Sequence, residues 1–117
     1  MPETSQTPAL VASPLFEMPA KVRPSEILAR HKDDILAILA KYPLANIRLF
    51  GSVLHGDDDE NSDLDLLVDD LPGASIFDFA NAEVELQELL ACKVDIRTPE
   101  DLSPIFREKV VNEARPL

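Results

Sequence analysis

The sequence has few of the features that mark secreted or membrane proteins. Cys92 is the single cysteine among 117 residues, so an internal disulfide is excluded and a reducing compartment is expected. No apolar run approaches the roughly 18 residues that a membrane-spanning helix needs. The first residues, MPETSQTPAL, lack the basic and apolar regions of a signal peptide. We therefore expect a cytoplasmic protein that does not enter a membrane.

Basic residues are also scarce. The chain has 11 Lys and Arg against 22 Asp and Glu, which gives a formal net charge of −11. A protein that binds DNA or RNA needs a cationic surface that displaces counterions from the phosphates, so direct nucleic-acid binding is not expected. A cation-dependent site or a basic protein partner agrees with this charge, and solubility alone would also explain it.

Aromatic residues make up only 5% of the chain and tryptophan is absent, so the core must be built from Leu, Ile, Val and Ala. The length predicts one domain. Prolines recur at positions 2, 8, 14 and 19, and because proline lacks the amide donor and blocks helices, residues 1–23 are predicted to be a flexible tail. Residues 24–117 are predicted to be the folded domain.

Apolar periodicity and capping residues predict an α+β fold with three strands or slightly more. Ser25 is a candidate N-cap of the first helix, and the face of the second helix that carries Phe77, Ala80, Val84 and Leu90 is expected to be buried. Asp57 to Glu60 are expected to form a solvated acidic loop. The predicted order is a helix ending before Pro43, strands Asn46–Phe50 and Asp63–Val68, a helix within 75–92, a strand within 93–98, and a helix after Ser103.

Two carboxylates lie inside the second predicted strand. Residues two apart in a strand point to the same face, so Asp63 and Asp65 are expected side by side, where they repel each other. A divalent cation removes this repulsion, and Mg²⁺ prefers carboxylate and phosphate oxygens. An alternative is that these residues are edge-strand charges that discourage aggregation.

A third acid, Asp95, lies between Val94 and Ile96 in the third predicted strand. If this strand lies beside the Asp63/Asp65 strand, three carboxylates converge. Such a set can hold two metal ions about 3.5–4 Å apart, as in phosphoryl-transfer enzymes. Upstream, Gly51 and Ser52 follow a strand, and their backbone amides and the serine hydroxyl could form a phosphate-binding turn.

Residues 51–68 resemble the signature of the nucleotidyltransferase superfamily: G-S-x-x-x-G, a loop of about five residues, then S-D-x-D followed by apolar residues. The stretch reads GSVLHG at 51–56 and SDLDLLV at 62–68, and Asp95 matches the third catalytic aspartate. The ending SPIFREKVVNEARPL is similar to that of the minimal nucleotidyltransferases, the small antitoxin partners of HEPN-domain toxins. The resemblance covers roughly residues 25–117 and implies a polymerase-beta-like palm, with a small mixed sheet packed against helices.

The resemblance also implies a reaction. Asp63, Asp65 and Asp95 would bind two Mg²⁺ ions and carry catalysis, with ATP as the substrate. AMP would pass to a tyrosine hydroxyl of a partner HEPN ribonuclease toxin and neutralise it. The residues expected to bind the nucleotide are Gly51, Ser52, His55, Gly56 and Ser62. His55 stands where these small proteins commonly have Arg, and imidazole holds phosphate less firmly than guanidinium.

Two alternatives stay open at this point. The protein could be a non-catalytic antitoxin that acts by binding its toxin alone. It could also transfer a nucleotide to a small molecule, although enzymes of that kind generally carry an additional substrate-binding region.

Overall fold

The computed structural model describes residues 22–117, so most of the tail predicted for residues 1–23 lies outside the described residues. The predicted order of three helices and three strands is found, together with two short helices and a C-terminal strand that were not predicted. The elements are α1 Pro24–Leu39, β1 Leu44–Phe50, α2 Ser52–His55, β2 Leu64–Asp70, α3 Ile76–Leu90, β3 Val94–Arg97, a 3-10 helix Pro99–Asp101, α4 Pro104–Glu113 and β4 Arg115–Pro116.

The four strands form one mixed sheet in the order β3-β2-β1-β4. β1 is antiparallel to both β2 and β4, whereas β3 is parallel to β2. A parallel neighbour requires a crossover connection, and α3 supplies it. The register of the β2–β3 pairing places Asp65 beside Asp95 on neighbouring strands.

The main core lies on one face of this sheet. Leu64, Leu66 and Val68 of β2 are fully buried there against α1 and α3. Because strand side chains alternate, Asp65 projects from the opposite face. Within residues 22–117, no helix has both the length and the apolar character to cross a bilayer.

The first helix begins at Pro24, with Arg23 as its N-cap, so the expectation that Ser25 caps it is wrong. Proline is favoured in the first helical turn because its missing N–H has no intrahelical acceptor there. The backbone N–H of Ser25 instead donates to Asp58 Oδ2 at 2.9 Å.

Asp58 therefore differs from the solvated loop residue that the sequence predicted. It is only 4% exposed and satisfies the N-terminus of α1 from 33 residues away in the chain. Burial is the largest single influence and raises the pKa of Asp58, but the hydrogen bonds from Ser25 and from the backbone of Asp58, together with the charge of Arg23, outweigh it, so the pKa is lowered overall. The acidic loop before β2 is thus fastened to the first helix.

The helix α3 is found, but of the four residues predicted to form its buried face only Leu90 is buried. The buried residues are Ala82, Leu86 and Leu90, whereas Phe77 is 72% exposed and Val84 is 51% exposed. The buried set follows a four-residue spacing along one stripe, and Phe77 lies off this stripe.

α3 also protects the exposed edge of the sheet. The outward backbone N–H groups of the edge strand β3 meet side chains of α3: Ile96 N donates to Glu83 Oε2 at 2.8 Å, and Val94 N donates to Gln87 Oε1 at 3.1 Å. An edge strand with paired amides is a poor template for another strand. This edge is therefore satisfied within the chain.

Candidate active site

The three carboxylates predicted from the sequence lie together at one end of the sheet. Asp63 directly precedes β2, Asp65 lies in β2 and Asp95 lies in β3. One oxygen from each residue lies within 4.8 Å of an oxygen of both others. β2 is a central strand, so the alternative of edge-strand charges does not account for Asp65.

This proximity has an electrostatic cost. Partial burial, followed by repulsion from Asp95 and Asp63, raises the pKa of Asp65 to about 6. Arg97 and Lys93 oppose the shift, and Lys93 Nζ lies 3.8 Å from Asp63 Oδ2. The nearby cations reduce the repulsion but leave Asp65 with a raised pKa.

The cluster has the chemistry of a site for a hard divalent cation. It offers carboxylate oxygens alone, and all three residues are partly accessible, so water or phosphate could complete the coordination. Among residues 22–117, no second group of three His, Cys, Asp or Glu side chains converges in this way. The residues therefore fit the magnesium that the sequence predicts, and Asp63, Asp65 and Asp95 would hold it.

Gly51 is required by the position of Asp65. It follows β1, has φ +80°, and a Cβ at this position would overlap Asp65 Oδ2. Only glycine adopts this positive φ without strain, and only glycine lacks the Cβ that would clash with the carboxylate. Ser52 then begins α2, whose first hydrogen bond runs from His55 N to Gly51 O at 3.2 Å. The turn predicted to bind phosphate thus lies directly against the carboxylates.

The other predicted nucleotide-binding residues flank this turn. His55 ends α2, and its Nε2 lies 3.2 Å from Glu113 Oε1. Gly56 terminates the helix with φ +75°, which is common for a C-terminal glycine. Ser62 lies just before Asp63, and its hydroxyl accepts a hydrogen bond from Asp59 N at 2.9 Å. Their binding of nucleotide stays a prediction.

A cleft of about 280 Å³, which no pattern in the sequence indicates, opens beside Gly51. Its other wall comes from α4 and includes Phe106, Lys109 and Glu113. On the sequence, Lys109 and Glu113 are an ordinary helical pair four residues apart. Their position beside Gly51 depends on β4, which directly follows α4 and pairs with β1.

A larger pocket of about 470 Å³ lies elsewhere, between α3 and β3. Its charged wall residues are Asp70, Glu83 and Asp101, with no basic residue among those that line it. Such a wall repels a polyphosphate. The smaller cleft, which holds basic residues and adjoins the carboxylates, suits a nucleotide better than the larger one.

The fold and this site define a nucleotidyltransferase, and comparison with known proteins agrees. Residues 33–117 match the family model for "Polymerase beta, Nucleotidyltransferase". The chain belongs to this family.

Its relatives include small archaeal proteins. A "Putative protein adenylyltransferase" of Methanocaldococcus jannaschii is 34% identical over 71% of this chain and 89% of its own length. The "Protein adenylyltransferase MntA" of Thermococcus cleftensis is 31% identical over 74% of this chain and 85% of its own length.

Solved structures share the fold. That of a "putative minimal nucleotidyltransferase" has a TM-score of 0.71 at 39% identity and covers 80% of this chain and 95% of that one. A toxin–antitoxin structure with AMP-PNP has a TM-score of 0.62 at 24% identity, covering 73% and 70%. This second likeness supports the polymerase-beta-like fold.

Replacing Gly51 with Ala should disrupt the metal site, because the added Cβ displaces the Asp65 carboxylate. Gly73→Ala is the matched control, since Gly73 also has positive φ (+92°) but has open space around its Cβ position. Both variants should lose about 1 kcal/mol of stability from backbone strain. Mn²⁺ affinity, measured by calorimetry, should fall more than about ten-fold only in Gly51→Ala. Equal Mn²⁺ affinities in the two variants would contradict this account of Gly51.

Replacing Asp65 with Asn should stabilise the metal-free protein. The folded state retains the Asp65 proton up to about pH 6, whereas the unfolded chain loses it near 3.8. The destabilisation therefore accumulates as pH rises between these values and is constant above them. We expect a gain of about 1 kcal/mol, since solvent screens a half-buried charge, and a melting temperature higher by about 4 °C.

The measurement is thermal unfolding in EDTA, near pH 4 and above pH 6, with Asp33→Asn on the opposite side of the sheet as the control. The gain should be larger at the higher pH and absent from the control. A melting temperature below that of the wild type for Asp65→Asn above pH 6 would contradict this prediction. It would show that the ionised Asp65 stabilises the metal-free fold.

Proposed function

We propose that this chain is an antitoxin that transfers AMP from ATP to a tyrosine hydroxyl of a partner HEPN ribonuclease toxin and so neutralises it. One observation carries the proposal: the convergence of Asp63, Asp65 and Asp95 directly beside Gly51 and Ser52. Relatives more than 30% identical over most of this chain bear the name protein adenylyltransferase, which supports AMP as the transferred group.

The residues have separate roles in this reaction. Asp63 and Asp65 would hold the Mg²⁺ that carries the nucleotide, and Asp95 would join them in holding a second Mg²⁺. Gly51 and Ser52 bind the β- and γ-phosphates. The bound metal supplies charge neutralisation and lowers the pKa of the attacking hydroxyl. The tyrosine oxygen forms a bond to the α-phosphorus, the bond to the bridging oxygen breaks, and pyrophosphate leaves. Asp95 helps to remove the proton of the tyrosine hydroxyl. Most of the acceleration comes from positioning and electrostatics.

Two features of the surface favour a protein as the acceptor. The described residues build the palm and little beyond it, so another molecule must bring the hydroxyl. Ile105 is 83% exposed and Phe106 is 59% exposed at the start of α4, and Phe106 also lines the cleft beside Gly51. Exposed apolar residues of this kind mark protein contacts.

The charge and the related complexes favour a toxin. A net charge of −11 complements a ribonuclease, which needs a basic surface to bind RNA. The fold is also that of toxin–antitoxin structures, one of them with AMP-PNP. We therefore infer that the acceptor hydroxyl belongs to a toxin that pairs with this chain.

The proposal is tested by incubating the chain with its partner toxin, ATP and Mg²⁺, and weighing the toxin by mass spectrometry. We expect a gain of one or more AMP units on a tyrosine, and loss of that gain in Asp63→Asn/Asp65→Asn. The control is Asp33→Asn/Asp34→Asn on α1, which removes the same charge on the other side of the sheet and should transfer AMP normally.

Two outcomes would contradict the proposal. An unmodified toxin that is nevertheless neutralised by the doubly substituted chain would establish an antitoxin that acts by binding alone. AMP found on another type of residue, with every tyrosine unmodified, would show that tyrosine is not the acceptor.

A further inference from the structure

A cluster of three charged side chains lines the cleft beside Gly51. Glu113 Oε1 lies 3.2 Å from His55 Nε2, and Glu113 Oε2 lies 3.3 Å from Lys109 Nζ. Each oxygen of one carboxylate thus faces a different basic group. All three side chains are accessible, with exposed fractions of 36% for Glu113, 47% for His55 and 70% for Lys109, so a ligand could reach them.

The cluster is held beside the carboxylates by both ends of α4. Near its start, Arg107 donates to the carbonyl oxygens of Pro99 at 2.8 Å and Leu102 at 3.1 Å. After its end, Arg115 pairs with Leu49 of β1, two residues before Gly51. Because α4 is fastened at both ends, Lys109 and Glu113 are kept over the turn that leads from β1 into α2.

We propose that Lys109 is a further nucleotide-binding residue, which binds the β- and γ-phosphates together with His55. In the free protein the Glu113 carboxylate occupies the position of these phosphates. This inference rests on the proposed function for the identity of the nucleotide. A carboxylate that bridges two basic groups presents negative oxygens much as a phosphate does. Binding of the triphosphate then exchanges one anion for another between the same partners.

The charges in the cleft favour binding of the phosphates there over binding of the adenine base of the nucleotide. The basic side chains of its wall are His55 and Lys109, and Gly51 belongs both to the cleft and to the turn against Asp65. A triphosphate bound at the carboxylates by its α-phosphate would therefore direct its remaining phosphates towards these groups. Lys109 supplies the fixed positive charge that His55, in place of the commoner Arg, does not.

The apolar part of the wall strengthens such binding. Leu54, Phe106 and Val110 line the cleft around the charged groups. Lys109 is 70% exposed in the free protein, but a ligand that fills the cleft displaces water from between these apolar side chains. The local dielectric constant then falls, and a phosphate–lysine contact is stronger than on an open surface. An ordinary surface pair between Lys109 and Glu113, by contrast, would have little effect on anything that binds.

The test measures the dissociation constants of AMP-PNP and AMP, each with Mg²⁺, for Lys109→Gln, Glu113→Gln and the double variant. Lys32→Gln on α1 is the matched control. Lys109→Gln should weaken AMP-PNP binding about ten-fold and leave AMP almost unchanged, since AMP lacks the outer phosphates. Glu113→Gln should tighten AMP-PNP binding about three-fold, because the competing anion is removed. Adding Lys109→Gln to Glu113→Gln should weaken AMP-PNP binding by at least the factor seen when Lys109→Gln is made in the wild type.

Three results would overturn the inference: AMP-PNP binding by Lys109→Gln equal to that by Lys32→Gln, an equal loss for AMP and AMP-PNP, or weaker binding in Glu113→Gln. Circular dichroism confirms that each variant is folded. These outcomes concern nucleotide affinity alone. They are therefore distinct from failure of the proposed function, which would appear as an unmodified toxin in the wild-type reaction.

Discussion

The site depends on three like charges held closer together than they would lie in water. The parallel pairing of β2 and β3 fixes Asp65 beside Asp95, and the backbone just before β2 adds Asp63. The raised pKa of Asp65 is the direct consequence. A carboxylate cluster that opposes its own ionisation favours cation binding, since a divalent ion converts mutual repulsion into shared attraction. The fold maintains this arrangement at some expense of stability, as active sites often do.

The remainder of the structure keeps that cluster in place. Burial of Leu64 and Leu66 on the opposite face fixes the register of β2, and Glu83 and Gln87 satisfy the outer edge of β3. Gly51 provides room for the Asp65 carboxylate. Together these contacts orient all three aspartates towards one point before any nucleotide arrives, so little reorganisation is needed when it binds.

Local signals in the sequence were sufficient for the main elements and for the carboxylates, because strand alternation and the Gly-Ser turn depend on neighbouring residues. Features set by distant contacts were not predictable. The side chain of Asp58 caps a helix 33 residues away, β4 pairs with β1 from the far end of the domain, and Glu113 meets His55 through the packing of α4. The buried stripe of α3 is not predictable for the same reason, since the apolar residues of this helix occur on more than one face and its contacts with α1 and the sheet decide between them.

The central claim is that Asp63, Asp65 and Asp95 together hold divalent cations. Its most direct test is a crystal structure of the chain with Mn²⁺ and a non-hydrolysable ATP analogue, with the metals located by anomalous scattering. We expect two Mn²⁺ peaks about 3.5–4 Å apart, bound by oxygens of all three aspartates and of the phosphates. Peaks elsewhere, with the side chain of Asp95 turned away from the other two, would contradict it.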